Sequence, residues 1–193
     1  WGGMLCGNMI YLNISKSHKP IKLRYYTMLI GNPDKFAFLF EPVPEWCSKC
    51  FVNGLLYIYV NGRQFPETLR TTTLSDDMFF LIDSPAFSKP RINAPLFLLE
   101  KRELFIKLCK VTFPEDGTEN DYSYLLPLDE LQSAGYCFFA IAFNNEIRIL
   151  VGHYIDYIEN NQLDFIDDVV LDLPEFDYMR NQVHDYYKNT IKQ

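Results

Sequence analysis

Residues 136–154 read Tyr-Cys-Phe-Phe-Ala-Ile-Ala-Phe-Asn-Asn-Glu-Ile-Arg-Ile-Leu-Val-Gly-His-Tyr, two apolar runs separated by two asparagines. Asparagine tolerates the positive φ angles of a tight turn, so the sequence predicts a hairpin with strands Tyr136–Phe143 and Glu146–Tyr154. The first strand is apolar at both its odd and its even positions, which is typical of a strand covered on both faces. We therefore expect it to lie centrally in a sheet.

A second hairpin lies upstream. Leu55–Val60 runs into Asn61-Gly62, the dipeptide best suited to a type I′ turn, and the chain continues through Arg63–Pro66. Apolar and aromatic runs bounded by turn residues predict further strands at Met28–Pro33, Phe36–Phe40, Met78–Ile82 and Val169–Leu173.

Three segments have helical patterns. Leu96–Lys110 is amphipathic, and Pro127–Gly135 has proline and glycine where a short helix begins and ends. Pro174 precedes a final helix with apolar residues at helical spacing, namely Phe176, Met179, Val183, Tyr187 and Ile191. The predicted fold class is α+β: a mostly antiparallel sheet built from hairpins, with two or three packing helices including a C-terminal helix.

Length and composition indicate one folded domain. The chain has 193 residues, of which 48% are hydrophobic, enough for a single sizeable core. Residues 1–27 hold four basic residues and no acid, whereas residues 28–193 hold 14 basic and 25 acidic ones. We expect residues 1–27 to be an N-terminal extension, non-native or poorly ordered, and residues 28–193 to be the domain. A genuine strand around Met9–Ile14 is the alternative.

The cysteines and the apolar runs indicate a cytoplasmic protein. Five cysteines is an odd number, which favours a reducing compartment, and no apolar run is long enough for a bilayer. The N-terminus lacks the order of a secretory signal. Cys47-Ser48-Lys49-Cys50 resembles a redox or zinc motif, but no second Cys/His pair follows at suitable spacing, so we interpret both cysteines as loop residues and expect no metal or cofactor.

The motifs of common enzyme classes are missing from the sequence. Its nine glycines form no phosphate-binding loop, and three histidines offer few parts for a catalytic triad. We expect no catalytic centre. Two alternatives stay open: a small hydrolase-type enzyme that uses carboxylates in a surface cleft, and a structural module that self-associates through its hairpins.

Acidic residues dominate one segment. From Asp156 to Asp185 there are nine acids and one base, a balance that repels nucleic acid and attracts basic proteins, although solubility alone also explains it. The candidate partner-binding residues are Asp164, Asp167, Asp168, Asp172, Asp177 and Trp46. Beside a proline-rich loop, the tryptophan is either an aromatic anchor for a partner or a core residue.

Several segments together resemble the immunity 42 family of bacterial polymorphic-toxin immunity proteins. The similar segments are Met28–Phe38, Pro44–Trp46, Val52–Leu55, Val60–Arg63, Leu126–Leu128, Gly135–Phe139 and Arg148–Gly152. The resemblance implies a cytoplasmic antidote that binds and neutralises a secreted or contact-delivered toxin. It transfers no functional residues, because the shared segments are mainly turns and strands.

Overall fold

Two antiparallel sheets form the framework in the computed structural model, which describes residues 25–154 and 165–192. The first sheet contains β1 (Met28–Asn32), β2 (Phe36–Pro42), β3 (Asn53–Val60) and β4 (Arg63–Phe65) in that order, and β5 (Thr72–Thr73) pairs with the beginning of β3. The second contains β6 (Leu125–Leu126), β7 (Tyr136–Phe143), β8 (Glu146–His153) and β9 (Ile166–Asp172), again in order.

Helices cover these sheets. They are α1 (Leu74–Asp83), α2 (Pro85–Ser88), α3 (Ala94–Phe97), α4 (Lys101–Thr112), α5 (Asp129–Ser133) and α6 (Leu173–Tyr186), and a π-helical turn, Tyr187–Ile191, follows α6. The predicted α+β class is confirmed. The described residues contain two sheets where one was expected, and six helices where two or three were expected.

Both predicted hairpin turns are confirmed. Asn61 and Gly62 have φ angles of 50° and 79°, and Asn144 and Asn145 have φ angles of 49° and 61°. These left-handed conformations match the twist of the strands they join, which is why asparagine and glycine are found there. The turn residues therefore set the register of β3 with β4 and of β7 with β8.

Strand β7 lies between two apolar cores, as its sequence predicts. Phe138 and Ala140 belong to a core that contains the first sheet together with α1, α2 and α6. Phe139 and Ile141 belong to a second core, which is completed by α3 and α4. The second sheet is thus the middle layer of the structure.

The strand predicted at Met78–Ile82 is wrong, because this segment lies in α1. Leu74, Met78 and Leu81 are buried at helical spacing, whereas Phe79 and Phe80 are about half exposed. The run is apolar at every position, so its own periodicity does not separate a strand from a helix. The helix becomes recognisable only when Leu74 is included.

The single helix predicted at Leu96–Lys110 is two helices. Asn93 Oδ1 accepts a hydrogen bond from Leu96 N at 3.1 Å and caps α3, and Glu100 Oε2 accepts one from Arg102 N at 2.7 Å and caps α4. The charged turn interpreted as helix interior is therefore the beginning of α4.

The C-terminal helix is confirmed, with one difference in its apolar face. The residue buried beyond Val183 is Tyr186, three positions later in α6, while Tyr187 is only half buried. Tyr186 Oη donates a hydrogen bond to Tyr26 O at 2.5 Å, so a residue of the predicted extension contacts the domain. Residues 1–24, including the alternative strand at Met9–Ile14, lie outside the described residues.

Gly152 of β8 lies under the ring of Phe105 of α4, and a Cβ there would be 2.6 Å from that ring. We expect Gly152→Ala to lower the free energy of unfolding by about 1–3 kcal/mol, because the ring has to move in a packed core. Urea denaturation measures the change. Adding Phe105→Leu should recover part of the stability lost in Gly152→Ala, because the smaller side chain leaves room for the new Cβ. If the stability losses of the two single variants simply add in the double variant, the clash is contradicted.

Candidate functional site

Asp167 connects the two sheets. Asn61 Nδ2, in the turn between β3 and β4, donates hydrogen bonds to Asp167 Oδ1 and to the carbonyl oxygen of Asp168, both at 3.0 Å. The first sheet therefore contacts the edge of the second through this carboxylate. A contact of this kind gives Asp167 a role within the fold.

Asp168 forms an ion pair with a nearly buried arginine. Arg148 Nε lies 2.6 Å from Asp168 Oδ2, and the two side chains are 10% and 22% exposed. Arg148 Nη1 also donates to the carbonyl oxygens of Phe97 and Leu99, both at 2.7 Å. The guanidinium thus joins β8 and β9 to the connection between α3 and α4. Asp168 neutralises this buried cation, so its charge is largely used within the fold.

The remaining predicted acids lie around the beginning of α6. Asp172, the last residue of β9, is exposed, and Asp177 forms a partly exposed ion pair with Arg180 at 3.1 Å. Asp164 lies outside the described residues. We refer to Asp167, Asp168, Asp172 and Asp177 as the β9–α6 surface.

Trp46 lies on a different part of the molecule. It ends a short 3₁₀-helix, Pro44–Trp46, and is 45% exposed, so the interpretation as a core residue is wrong. The tryptophan borders an open cavity of ≈ 470 Å³ among β5, α1 and α5, here named the Trp46 cleft. The cleft is lined by Trp46, Asn53, Thr71, Thr72, Thr73, Asp76, Asp77, Asp129, Glu130 and Ser133.

The β9–α6 surface and the Trp46 cleft do not form one site. Asp172 immediately precedes α6, whereas a cavity that shares Asp76 with the Trp46 cleft is lined by Tyr187 and Lys192, just beyond the other end of that helix. A helix of this length spans about 21 Å. The structure therefore separates Trp46 from the acids with which the sequence analysis grouped it.

Asp77 is the buried carboxylate of the Trp46 cleft. One of its oxygens accepts a hydrogen bond from Thr72 Oγ1, and the other accepts one from Asp129 N at 3.2 Å, which caps α5. Burial raises the pKa of Asp77 above its ordinary value, and the nearby charges of Asp129 and Glu130 raise it further, against the lowering effect of its two hydrogen bonds. Sequence reasoning missed this residue, although in helix α1 it lies on the same face as Leu74 and Leu81.

Cys47 and Cys50 are free thiols in the loop that follows the 3₁₀-helix. Cys47 Sγ lies 3.2 Å from Val43 O and 3.5 Å from Asn53 O, and Cys50 is exposed.

Within residues 25–154 and 165–192, no group of three or more histidine, cysteine, aspartate or glutamate residues is placed to hold a metal ion. None of the helices in the same ranges combines the length and apolar character needed to cross a bilayer.

The sequence profile of a family described as immunity protein 42 matches residues 28–186, most of the chain. The chain belongs to the immunity protein 42 family. It is therefore a toxin-immunity protein, and its partner is a cognate toxin. This confirms the family resemblance and the toxin-immunity role that it implies.

A solved structure supports the fold assignment of this immunity protein. The crystal structure of CdiI from Burkholderia dolosa superposes with a TM-score of 0.69 and covers 82% of this chain and 99% of that chain. The two sequences are 24% identical, so the likeness concerns the fold. No curated protein matches the sequence.

The Arg148–Asp168 pair generates a stability prediction for the immunity protein. We expect Arg148→Met to lower the free energy of unfolding by about 3–5 kcal/mol, because a carboxylate and two carbonyl groups lose a buried cation. Chemical denaturation measures this. Arg148→Met with Asp168→Asn should be more stable than Arg148→Met alone. The control is Lys107→Met in the exposed pair with Glu103, where a loss above ~1 kcal/mol would contradict the role given to burial.

The raised pKa of Asp77 predicts a pH-dependent difference between the wild-type protein and Asp77→Asn. Because the pKa of Asp77 is raised in the folded state, its protonated carboxyl contributes its full stability below pH 3.8, the ordinary pKa of aspartate. This contribution is lost as the pH rises through the folded-state pKa. Asparagine does not ionise and retains an oxygen that caps α5. In urea titrations, the stability of the variant relative to wild type should therefore increase from pH 4 to pH 7. If the relative stability of the variant decreases over this range, the hydrogen bonds of Asp77 outweigh its burial.

Proposed function

We propose that this immunity protein neutralises its toxin by binding alone, in the bacterial cytoplasm, and that its acidic charge attracts a basic toxin surface. The observation that carries the proposal is the charge of the matched region, because residues 28–186 hold 25 acidic and 12 basic residues. Such a field raises association rates by ~10- to 10³-fold at low salt. A rapid encounter matters for an antidote that has to reach the toxin before the toxin acts.

Exposed members of the β9–α6 surface supply part of this field. Asp172 is exposed, and the Asp177 side chain is 39% exposed, although its Oδ1 is buried and paired with Arg180. Asp167 and Asp168 contribute less, because each is partly buried and bonded within the fold. We therefore assign Asp172 and Asp177 to steering of the toxin.

The alternative of a carboxylate-based hydrolase has one observation in its favour, the raised pKa of Asp77 in an open cleft. Its hydrogen bonds with Thr72 and with the first residue of α5 also give this carboxylate a structural role. The two functions differ in stoichiometry. Binding consumes the antidote in equimolar amounts, whereas an enzyme inactivates an excess of toxin.

A titration of toxin activity tests the proposal. The probe is the C-terminal domain of the large secreted protein that we expect the gene directly upstream to encode. Its activity should fall in proportion to added immunity protein and reach its minimum at an equimolar amount. Inactivation by a small substoichiometric amount would contradict neutralisation by binding.

Removing the exposed charges should slow association. We expect Asp172→Asn with Asp177→Asn to lower the association rate constant by roughly 3- to 10-fold at low salt, with little change in the dissociation rate, because these charges act at a distance. Surface plasmon resonance at several salt concentrations measures both rate constants.

A matched variant separates local steering from net charge. Glu115→Gln with Glu119→Gln removes the same number of charges from exposed positions in the loop between α4 and β6. If both double variants lose association rate equally, steering depends on net charge, and Asp172 and Asp177 have no specific role in it.

A further inference from the structure

Exposed aromatic side chains lie along two adjoining cavities that both include Asp76 in their lining. Trp46, Phe51, Phe79 and Phe80 are 45%, 49%, 47% and 49% exposed. Asp76 lines both the Trp46 cleft and an adjoining cavity of ≈ 410 Å³ that is lined by Phe51 and Phe79. The ring of Phe80 packs edge-on against Phe79, with 5.4 Å between centroids. We name these four residues the aromatic surface.

The loop that presents Trp46 and Phe51 is held by hydrogen bonds. Asn53 Nδ2 donates to Trp46 O at 2.7 Å, Ser48 N donates to Phe51 O at 2.8 Å, and Phe51 N donates to Ser48 Oγ at 3.1 Å. Thr73 Oγ1 donates to Asn53 Oδ1 at 3.1 Å and connects the loop to β5. A partner that covers these rings therefore has little loop entropy to overcome.

Folding of the chain leaves these rings half in solvent. Helix α1 buries Leu74, Met78 and Leu81 and turns Phe79 and Phe80 outward. Clustered exposed aromatics are typical of protein contact surfaces, where tryptophan and other large rings contribute most of the binding energy. The cluster therefore indicates a contact with another protein.

The charge of the cleft indicates which side chains of a partner protein would fit it. The residues that line the Trp46 cleft include four acids and no base. Asp76 and Asp129 are exposed, whereas Asp77 is buried and Glu130 forms an ion pair with Arg70 at 3.0 Å. The adjoining cavity has Lys49 and Lys192 on its lining. The exposed carboxylates of the cleft therefore favour a cationic side chain beside Trp46, because the face of an indole ring attracts a cation.

We propose that the aromatic surface is the docking site of the cognate toxin, with a lysine or arginine of the toxin in the Trp46 cleft and apolar toxin residues on Phe51 and Phe79. The inference rests on the proposed function, because it takes neutralisation by binding as given. The inference adds the location of the contact that keeps the toxin bound. The β9–α6 surface, at the other end of α6, then affects the encounter but not the lifetime of the complex.

Binding of the inactivated upstream toxin domain to single variants tests the docking site. We expect Trp46→Ala and Phe79→Ser each to weaken binding by about 30-fold, mainly through faster dissociation. Tyr178→Ala is the matched control, because Tyr178 is 68% exposed on α6 and lies outside the aromatic surface. Its affinity should stay within about 3-fold of wild type. Thermal melting of each variant checks that the fold is intact.

Hydrogen exchange of the wild-type complex gives a second measurement that needs no variant. Amides of residues 45–51 and 74–80 should exchange more slowly when the toxin domain is bound. Normal affinity of Trp46→Ala and Phe79→Ser, or unchanged exchange in these segments, would overturn the docking site while the proposed function stands. Failure of wild-type protein to bind the toxin domain would overturn both. A wild-type dimer that Phe79→Ser dissociates would replace the toxin with a second copy of this chain.

Discussion

The burial of β7 on both faces is the constraint on which the rest of the structure depends. A strand that is apolar on both sides needs a covering layer on each. The first sheet with α1, α2 and α6 supplies one layer, and α3 and α4 supply the other. These layers come from both sides of β7 in the sequence, so the chain has to close around this strand. Arg148 belongs to the same closure, because its guanidinium donates hydrogen bonds to carbonyl groups at the end of α3 and just beyond it.

Charge density along the sequence differs from charge available to a partner. The segment around β9 is the most acidic in the chain, yet Asp168 neutralises Arg148, and Asp167 bonds Asn61 of the other sheet. Part of the acidity is therefore needed to hold the two sheets and α3 in place. In the Trp46 cleft, by contrast, Asp76 and Asp129 are exposed and lie beside an exposed ring.

Local signals predicted the hairpins, and non-local packing decided the site. The turns at Asn61 and Asn144 depend on their own φ angles, so the sequence was sufficient for them. The strand predicted at Met78–Ile82 failed because a uniformly apolar run has no periodicity of its own. The Trp46 cleft joins residues from a 3₁₀-helix, β5, α1 and α5, which only the tertiary fold brings together. The family was recognisable because its turn and strand residues are local features.

The size of the competing effects favours the aromatic surface as the proposed docking site of the toxin. Burying a whole phenylalanine contributes about 1.5–3 kcal/mol, so each half-exposed ring of the aromatic surface leaves roughly 1 kcal/mol that folding does not use. A partner that covers Trp46, Phe51, Phe79 and Phe80 gains this contribution several times over, at little cost in loop entropy. An exposed ion pair contributes only about 0–1 kcal/mol and weakens with salt. Exposed acids can therefore bring a basic toxin to the molecule quickly, but the aromatic rings are better placed to keep it bound.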